Sequence, residues 1–272
     1  MTMTLPTGRI AALFVPHGAP TFALYPGAAG TALTGAAASL PRPRAIVVVS
    51  AHWDTDMPMI GVAERPETIH DYRGFPSQLN DIRYPATGCR EAAGEVRRCL
   101  EAAGFEVGLD ESRGLDHGAW IPLRLMFPDA DVAVVPMSIQ SRFGPSHHLR
   151  IGRALAPLAE SGMLLIGSGN LTHNLRDFHE ACMTGGGSPA YVREFADWMA
   201  ARLAAGDTPA LLDYRHQAPH AERAQPTEDH LLPLFVALGA GGDNCASLRF
   251  HAGVDEFVLA MDAFAFRQRA AK

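Results

Sequence analysis

The chain has 272 residues, 47% of them hydrophobic and 19% charged, with a formal net charge of −6. That length supports one large α/β domain or two small ones with a core that needs no staples, and the balanced composition excludes a disordered or fibrous chain. The negative charge and the lack of any basic run argue against nucleic acid, whose binding needs a cationic face to displace counterions.

Cys89, Cys99, Cys182 and Cys245 are scattered with no CxxC pair, so neither a disulfide framework nor a thiolate zinc site is suggested, and a reduced cytoplasm is the simplest setting. The opening MTMTLPTGRI has no apolar core behind a charged start. No apolar run approaches ~18 residues, so neither a secretory leader nor a membrane span is expected.

Ile10 to Val15 reads as a buried strand running into Pro16-His17-Gly18, where glycine and proline permit a tight turn and close approach of backbone to a ligand. The Gly/Ala-rich segment Pro26 to Ser39 predicts a short helix stopped by Pro41 and Pro43. The chain is organised around Ala45 to Thr55, AIVVVSAHWDT. Ile46 to Val49 form an unbroken branched apolar run, the mark of a strand buried on both faces at the centre of a parallel sheet. The run turns polar at Ser50 and delivers His52 and Trp53 at its C-terminal end, where open α/β sheets place their ligands. From Pro58 to Gly88 the text is loop-like, and so long an irregular stretch inside a compact domain is usually functional.

Cys89 to Ala103 carries Ala92, Val96, Cys99 and Leu100 at helical spacing, with Gly104 as the stop. Phe105 to Leu109 predicts a short strand. Gly114 to Gly118, GLDHG, is a histidine-bearing turn that leads into a helix over Ala119 to Met126, with Pro122 in its first turn. Val132 to Pro136 and Met163 to Ile166 read as further strands, the second running into GSGNLTHN with His173. Between them His148 to Glu160 predicts a helix. Asn174 to Glu180 reads as a polar connection, and Glu194 to Ala204 as a helix with Phe195, Trp198, Met199 and Leu203 inward. In QPTEDHLLPLFVALGA, Thr227 is placed as N-cap and His230 in the first helical turn, which Pro233 distorts. Glu256 to Met261 closes the chain as a strand suited to an edge.

Without an internal repeat or linker, one domain over residues 1–272 is expected: an α/β fold with a central, mostly parallel mixed sheet flanked by helices, and a metal site at the C-terminal strand ends. There are twelve histidines. His17, His52 and His173 follow buried strands, and His230 opens a helix after a Pro-Thr stop. His147, His148, His179, His216, His220 and His251 lie in polar text and read as structural or surface groups. Imidazoles gathered at element ends suit zinc, iron, copper or nickel, and three protein ligands with open positions mark a catalytic metal rather than a structural one. Trp53 and Trp120 are candidate walls of an aromatic substrate pocket, with core packing as the alternative. Asp71, Asp81 and Asp116 are candidate partners for the imidazoles, or turn caps. Arg73 and Arg83 are candidates for pairing a substrate carboxylate, or ordinary surface arginines.

The blocks FVPHGAP, PRPRAIVVVSAHW, TIHDYRGFPSQLNDIRYPATG, GLDHGAWIPLRLMFPDADV, GSGNLTHNL and PTEDHLLPLFVALGA span about residues 13 to 240. In that combination the sequence resembles the class III extradiol ring-cleavage dioxygenases, in the branch of DOPA 4,5-dioxygenase-like proteins. The resemblance implies a non-haem Fe(II) enzyme of aromatic compound catabolism that opens a catechol ring next to its hydroxyls with O2, giving a muconic semialdehyde-type product. His17, His52 and His230 match metal ligands, with Zn(II) able to take the place of iron. His173 matches the catalytic base and His117 a histidine lining the substrate and oxygen pocket. In protocatechuate-cleaving relatives the third ligand is a glutamate, and Glu228 and Asp229 lie beside His230 here. A zinc-dependent hydrolase and a non-catalytic binding protein on the same scaffold are the competing readings. The expected partners are a catechol and O2, without nucleic acid or membrane, in a cytoplasmic monomer or homodimer.

Overall fold

A computed structural model of the protein describes residues 10–185 and 187–268. In chain order these form β1 (Ile10–Pro16), α1 (Gly27–Ser39), β2 (Ala45–Asp54), β3 (Met59–Gly61), α2 (Arg90–Ala102), β4 (Gly108–Asp110), α3 (His117–Met126), β5 (Ala133–Ile139), α4 (Gly144–Leu155) and β6 (Met163–Gly169). There follow α5 (Leu175–Thr184), α6 (Ala190–Ala205), the short helices α7 (Thr208–Leu212), α8 (Tyr214–Gln217) and α9 (Ala221–Ala224), and α10 (Leu232–Ala240). The chain ends with β7 (Cys245–His251), β8 (Val254–Asp255), β9 (Leu259–Ala260) and β10 (Ala263–Gln268).

Eight strands form one sheet in the order β4-β3-β5-β2-β6-β1-β10-β7, and β8 pairs β9 in a separate hairpin. The central strands β5, β2, β6 and β1 are parallel. Antiparallel pairing enters through β10, which lies between β1 and β7, and where β3 meets β5. Ile46 to Val49 are fully buried, as an unbroken branched run requires; each such side chain contributes roughly 1.5–3 kcal/mol relative to exposure. Because β1, β2 and β6 share a direction, their C-terminal ends, and the turns carrying His17, His52 and His173, emerge on one rim.

Helices cover both faces, and the alternation of side chains along β6 shows which lies where. A Cβ added to Gly167 would stand 2.2 Å from the Pro233 carbonyl oxygen, and one on Gly169 2.0 Å from that of His230. The stretch 230–233 therefore lies directly on the strand there. Ser168, between those glycines, points to the other face and donates to the Gly118 carbonyl in α3. Helices α4 and α10 cross with similar closeness: a Cβ on Gly152 would sit 2.1 Å from the Val236 oxygen, and one on Gly239 2.3 Å from that of Leu149. Among the described residues, no helix is long and apolar enough to cross a membrane.

Several element boundaries differ from the sequence expectation, each for a local reason. β2 runs through His52 and Trp53 to Asp54 rather than stopping at Ser50. α3 begins at His117, so Pro122 lies inside the helix and not in its first turn. α4 begins at Gly144, with Pro145 suited to its first turn, and gives way at Ala156 to a 3-10 turn containing Pro157. The strand expected at Phe105 starts at Gly108, since the Phe105 N–H is drawn back to Leu100 O at the end of α2. Asn174 to Glu180 is largely helical: the Asn174 side chain accepts from the Asp177 N–H and caps α5. α10 starts at Leu232, after His230, which puts Pro233 among the first helical positions where its missing N–H is harmless. The closing strand is β10, inside the sheet, whereas Glu256 to Met261 contributes only the hairpin strand β9.

Candidate metal centre

His17 leaves the end of β1, fully buried, with Nδ1 3.0 Å from Ser168 Oγ. Pro122 has no N–H to offer the Gly118 carbonyl one helical turn before it, and Ser168 Oγ–H donates to that carbonyl instead. With its hydrogen committed there, Ser168 Oγ accepts from His17 Nδ1–H. The neutral His17 ring therefore presents a bare Nε2.

His52 is delivered by a break in the β2–β5 ladder. The register runs from Ala45↔Ala133 to Val49↔Met137 and resumes at Asp54↔Ile139, so the stretch Ser50 to Trp53 arches away from its partner. The arch brings His52 Nε2 to 3.1 Å from His17 Nε2. Gly118 makes room for it, since a Cβ there would lie 2.9 Å from His52 Cδ2 and 2.5 Å from Ser50 Oγ.

His117 is the first residue of α3, behind the N-cap Asp116, which accepts from the Ala119 N–H and from Ser50 Oγ–H. Asp71 Oδ1 accepts from both the backbone N–H and Nδ1–H of His117, each at 2.9 Å. His230 Nδ1–H donates to Asp229 Oδ2 at 2.8 Å, and His230 Nε2 is buried with no hydrogen-bond partner among the described residues. Three imidazoles are thus held by the same device: an acceptor fixes Nδ1–H and leaves Nε2 free.

One ligand atom each from His17, His52 and His117 lies within 4.8 Å of the others. The His230 ring centroid is 5.2 Å from that of His17 and 4.9 Å from that of His52. His173 stacks on His230 at 3.4 Å and 7°, anchored by its N–H to Ala224 O. All five histidines named from the sequence are therefore gathered at one place. The tightest triad includes His117, while the expected third ligand, His230, closes the cluster from the other side.

Burial, reinforced by the neighbouring imidazoles, holds His17 and His230 well below the ordinary imidazole value. Burial and then His117 bring His52 down to about 3, and burial brings His173 down to about 4. For Asp71, partial burial opposes ionisation, but the hydrogen bonds from His117 outweigh it and keep the carboxyl ionised. His17, His52, His173 and His230 are therefore neutral at pH 7, the protonation state a metal ligand requires. A buried, unpaired Nε2 costs about 1–3 kcal/mol, which a cation would relieve. The donor set fits a borderline divalent ion, and His17, His52, His117 and His230 could hold one.

The carboxylates next to His230 in sequence face elsewhere: Asp229 holds His230 Nδ1, and Glu228 accepts from Tyr214 O–H and Arg215. Asp116 and Asp71 do partner the site, whereas Asp81 is exposed in a 3-10 turn. His148 takes the structural rather than the surface alternative. It is fully buried, accepting from the Gln140 N–H and donating to Gly144 O at the β5–α4 turn.

A cavity of about 190 Å³ opens above the imidazoles, with Pro20, Tyr72, Phe75, Leu175, Phe178 and Leu259 as its walls. Neither tryptophan lines it. Trp53 packs under the Arg113 guanidinium, and Trp120 is fully buried beneath the loop that carries Tyr72, donating to Ile69 O at 3.1 Å. Both are too deep in the core to face a substrate. The aromatic walls come from HDYRGF in the long loop, visible in the sequence, and from Phe178, hidden because α5 reads as a polar connection.

Neutral imidazoles on the C-terminal rim of a parallel sheet, beneath an aromatic-walled cavity, describe a metal-dependent α/β enzyme. Residues 24–257 match the family described as the catalytic LigB subunit of aromatic ring-opening dioxygenase, and the chain belongs to that family. It is 39% identical over 226 residues to the 4,5-DOPA dioxygenase extradiol of Beta vulgaris, with 83% of each chain covered. It is 39% identical over 238 residues to the Escherichia coli K12 protein of the same name, with 85% of each covered. A crystal structure of an uncharacterised protein from Escherichia coli K12 matches with a TM-score of 0.76 at 30% identity, covering 93% of this chain and 98% of that one. The protein is a class III extradiol dioxygenase of the DOPA dioxygenase-like branch.

Proposed function

We propose that the chain, as one catalytic domain over residues 1–272, opens a catecholic ring beside its hydroxyls at a ferrous ion, giving a muconic semialdehyde-type product in cytoplasmic breakdown of aromatic compounds. The observation that carries this reading is the convergence of His17, His52 and His230, with His230 Nε2 buried and unpaired. In this reading those three residues hold the ion through nitrogens left free by Ser168 and Asp229 and by the arch of β2. When bound, the ion lowers the catechol pKa and supplies the redox centre that O2 chemistry needs, which favours Fe(II) over Zn(II) as the working metal.

The protein's own groups do the rest. His173 lines the cavity and is neutral at pH 7, the form that takes a proton from a catechol hydroxyl. The same burial that lowers its pKa to about 4 makes it release that proton readily. His117, oriented by Asp71, faces the cavity from the opposite side and positions the second reactant. Tyr72, Phe75 and Phe178 clasp the ring and exclude water.

The relatives named above are dioxygenases of DOPA, so L-DOPA belongs in the first set of compounds to be tried. The test is anaerobic reconstitution with Fe(II), followed by O2 uptake with substituted catechols and a new visible absorbance from the product. Iron-loaded protein that consumes no O2 with any catechol overturns the reading.

A further inference from the structure

His52 lacks the device that fixes the rings of His17, His117 and His230. Among the described residues its Nδ1 makes no hydrogen bond, and Asp71 Oδ2, at 3.8 Å, is beyond hydrogen-bond reach. Its other nitrogen meets His17: the two Nε2 atoms are 3.1 Å apart, too close for two lone pairs to face each other. His17 carries its hydrogen on Nδ1, toward Ser168, so the hydrogen between the rings belongs to His52 Nε2 and is donated to His17 Nε2. As placed here, His52 is the Nε2–H tautomer, the wrong one for a ligand.

The positions are nevertheless those of a metal site. Two nitrogens each about 2.0–2.1 Å from one ion stand about 3 Å apart, as these two do. For His52 to ligate through Nε2, the hydrogen there goes to water and one from water enters Nδ1, so the ring stays neutral. The new Nδ1–H then faces Asp71 Oδ2, while Asp71 Oδ1 already accepts from the backbone N–H and Nδ1–H of His117 at 2.9 Å.

Asp71 also belongs to the loop that walls the cavity. Tyr72 follows it directly and Phe75 comes soon after, while Trp120 Nε1–H holds the same loop at Ile69 O. One carboxylate thus stands between a ligand, a cavity histidine and two of the aromatic walls.

Given the reading that His17, His52 and His230 hold an ion met by a catechol, on which this rests, we infer that Asp71 is a positioning residue for both. Metal binding converts His52 to its Nδ1–H tautomer, and Asp71 Oδ2 accepts that hydrogen while Oδ1 keeps His117. The paired grip fixes Tyr72 and Phe75 where the catechol ring is bound.

Zn(II), which is diamagnetic and opens no ring, is the probe. Long-range 1H–15N spectra of the histidine-labelled parent protein are expected to show His52 protonated at Nε2 without metal and at Nδ1 with Zn(II). His52 protonated at Nδ1 in both states overturns the inference. Asp71→Asn keeps the size of the side chain but replaces one oxygen by a donor, so it can accept from one ring only. Chelator competition is expected to show Zn(II) held about 10–100-fold more weakly. Calorimetry of the Zn(II)-saturated variant is expected to show unsubstituted catechol bound about tenfold more weakly, the scale of one charge-assisted hydrogen bond. Asp71→Glu, which keeps both oxygens, is expected to recover part of each loss. Parent-like affinity of Asp71→Asn for either the ion or catechol overturns the inference, because a side chain that only fills space is replaced by one of equal size. If the Zn(II) results hold and Fe(II)-loaded protein opens no catechol in air, the ring-opening reading fails and the role of Asp71 stands.

Discussion

His17 Nδ1 and Ser168 Oγ, 3.0 Å apart, lock the tautomer of a fully buried imidazole. The lock depends on Pro122, which leaves the Gly118 carbonyl free to accept the serine hydrogen. Ser168→Ala removes the acceptor for His17 Nδ1–H and frees the ring to present either nitrogen. Metal affinity is expected to fall about 10–100-fold, as for other groups that orient a ligand. Competition with a chelator measures it, and the Ser168→Thr variant, which keeps a hydroxyl, is expected to recover part of the loss. Affinity equal to that of the parent protein in Ser168→Ala would show that His17 is oriented by other contacts.

Gly118→Ala probes the neighbouring ring. The new methyl would stand 2.9 Å from His52 Cδ2, 2.5 Å from Ser50 Oγ and 3.2 Å from Asp116 Oδ1, all of them packed. Overfilling such a site costs about 1–3 kcal/mol. The more sensitive readout is His52 itself, because a shift of about 1 Å at a reacting site lowers rates about a hundredfold. Turnover should fall by that order while the thermal midpoint drops by only a few degrees.

Acid should loosen the metal-free protein as pH falls below about 6.5, the ordinary imidazole value. His52 is held at about 3, and His148 and His173 at about 4, each by burial and each below its ordinary 6.5. A folded-state pKa below the unfolded one means that the unfolded chain binds more protons between the two. Stability is therefore complete above about pH 6.5, erodes as pH falls towards 4, and levels off once the folded state also protonates. Each group contributes a slope of up to about 1.4 kcal/mol per pH unit. Asp262, raised to about 6 by burial against the pull of Arg249, works in the opposite sense as one group. Urea midpoints of chelator-treated protein between pH 7 and 5 should fall steadily, and His148→Gln, away from the cluster, should flatten the fall. Midpoints that do not change over this range would mean that the imidazoles titrate alike in both states.

The central strands were legible because an apolar run such as Ile46 to Val49 has only one stable place, inside a sheet covered on both faces. The gathering of His17, His52, His173 and His230 was legible for a related reason, since each follows or opens an element that points to the same rim. What stayed hidden depends on partners distant in sequence. The arch at Ser50 to Trp53 is a property of the β2–β5 register and not of β2 alone. Ser168 meets Gly118 across 50 positions, and nothing in GSGN announces it. Trp53 and Trp120 were misleading because a large aromatic near a histidine turn suits a pocket wall and a core equally well, and packing decided for the core. β7 stays hidden because CASLRFH is only half-buried and lacks a sustained apolar run.

The crossing of α4 and α10 offers a stability test far from the chemistry. Gly152 and Gly239 face each other's helix so closely that an added methyl would lie 2.1 Å and 2.3 Å from backbone oxygens, which cannot rotate away as a side chain can. Relief would require the helices to separate, and α10 also carries the backbone that seats His230 on β6. Gly152→Ala and Gly239→Ala are each expected to destabilise by about 3 kcal/mol or more, the upper end for overpacking. Gly94→Ala is the matched control: in α2 its methyl would meet only the tip of Arg98, at 3.4 Å. The same substitution there should stabilise by roughly 0.5–1 kcal/mol, through higher helix propensity. Urea unfolding of the three variants measures the contrast. Similar midpoints for all three would show that α4 and α10 can slide apart without loss.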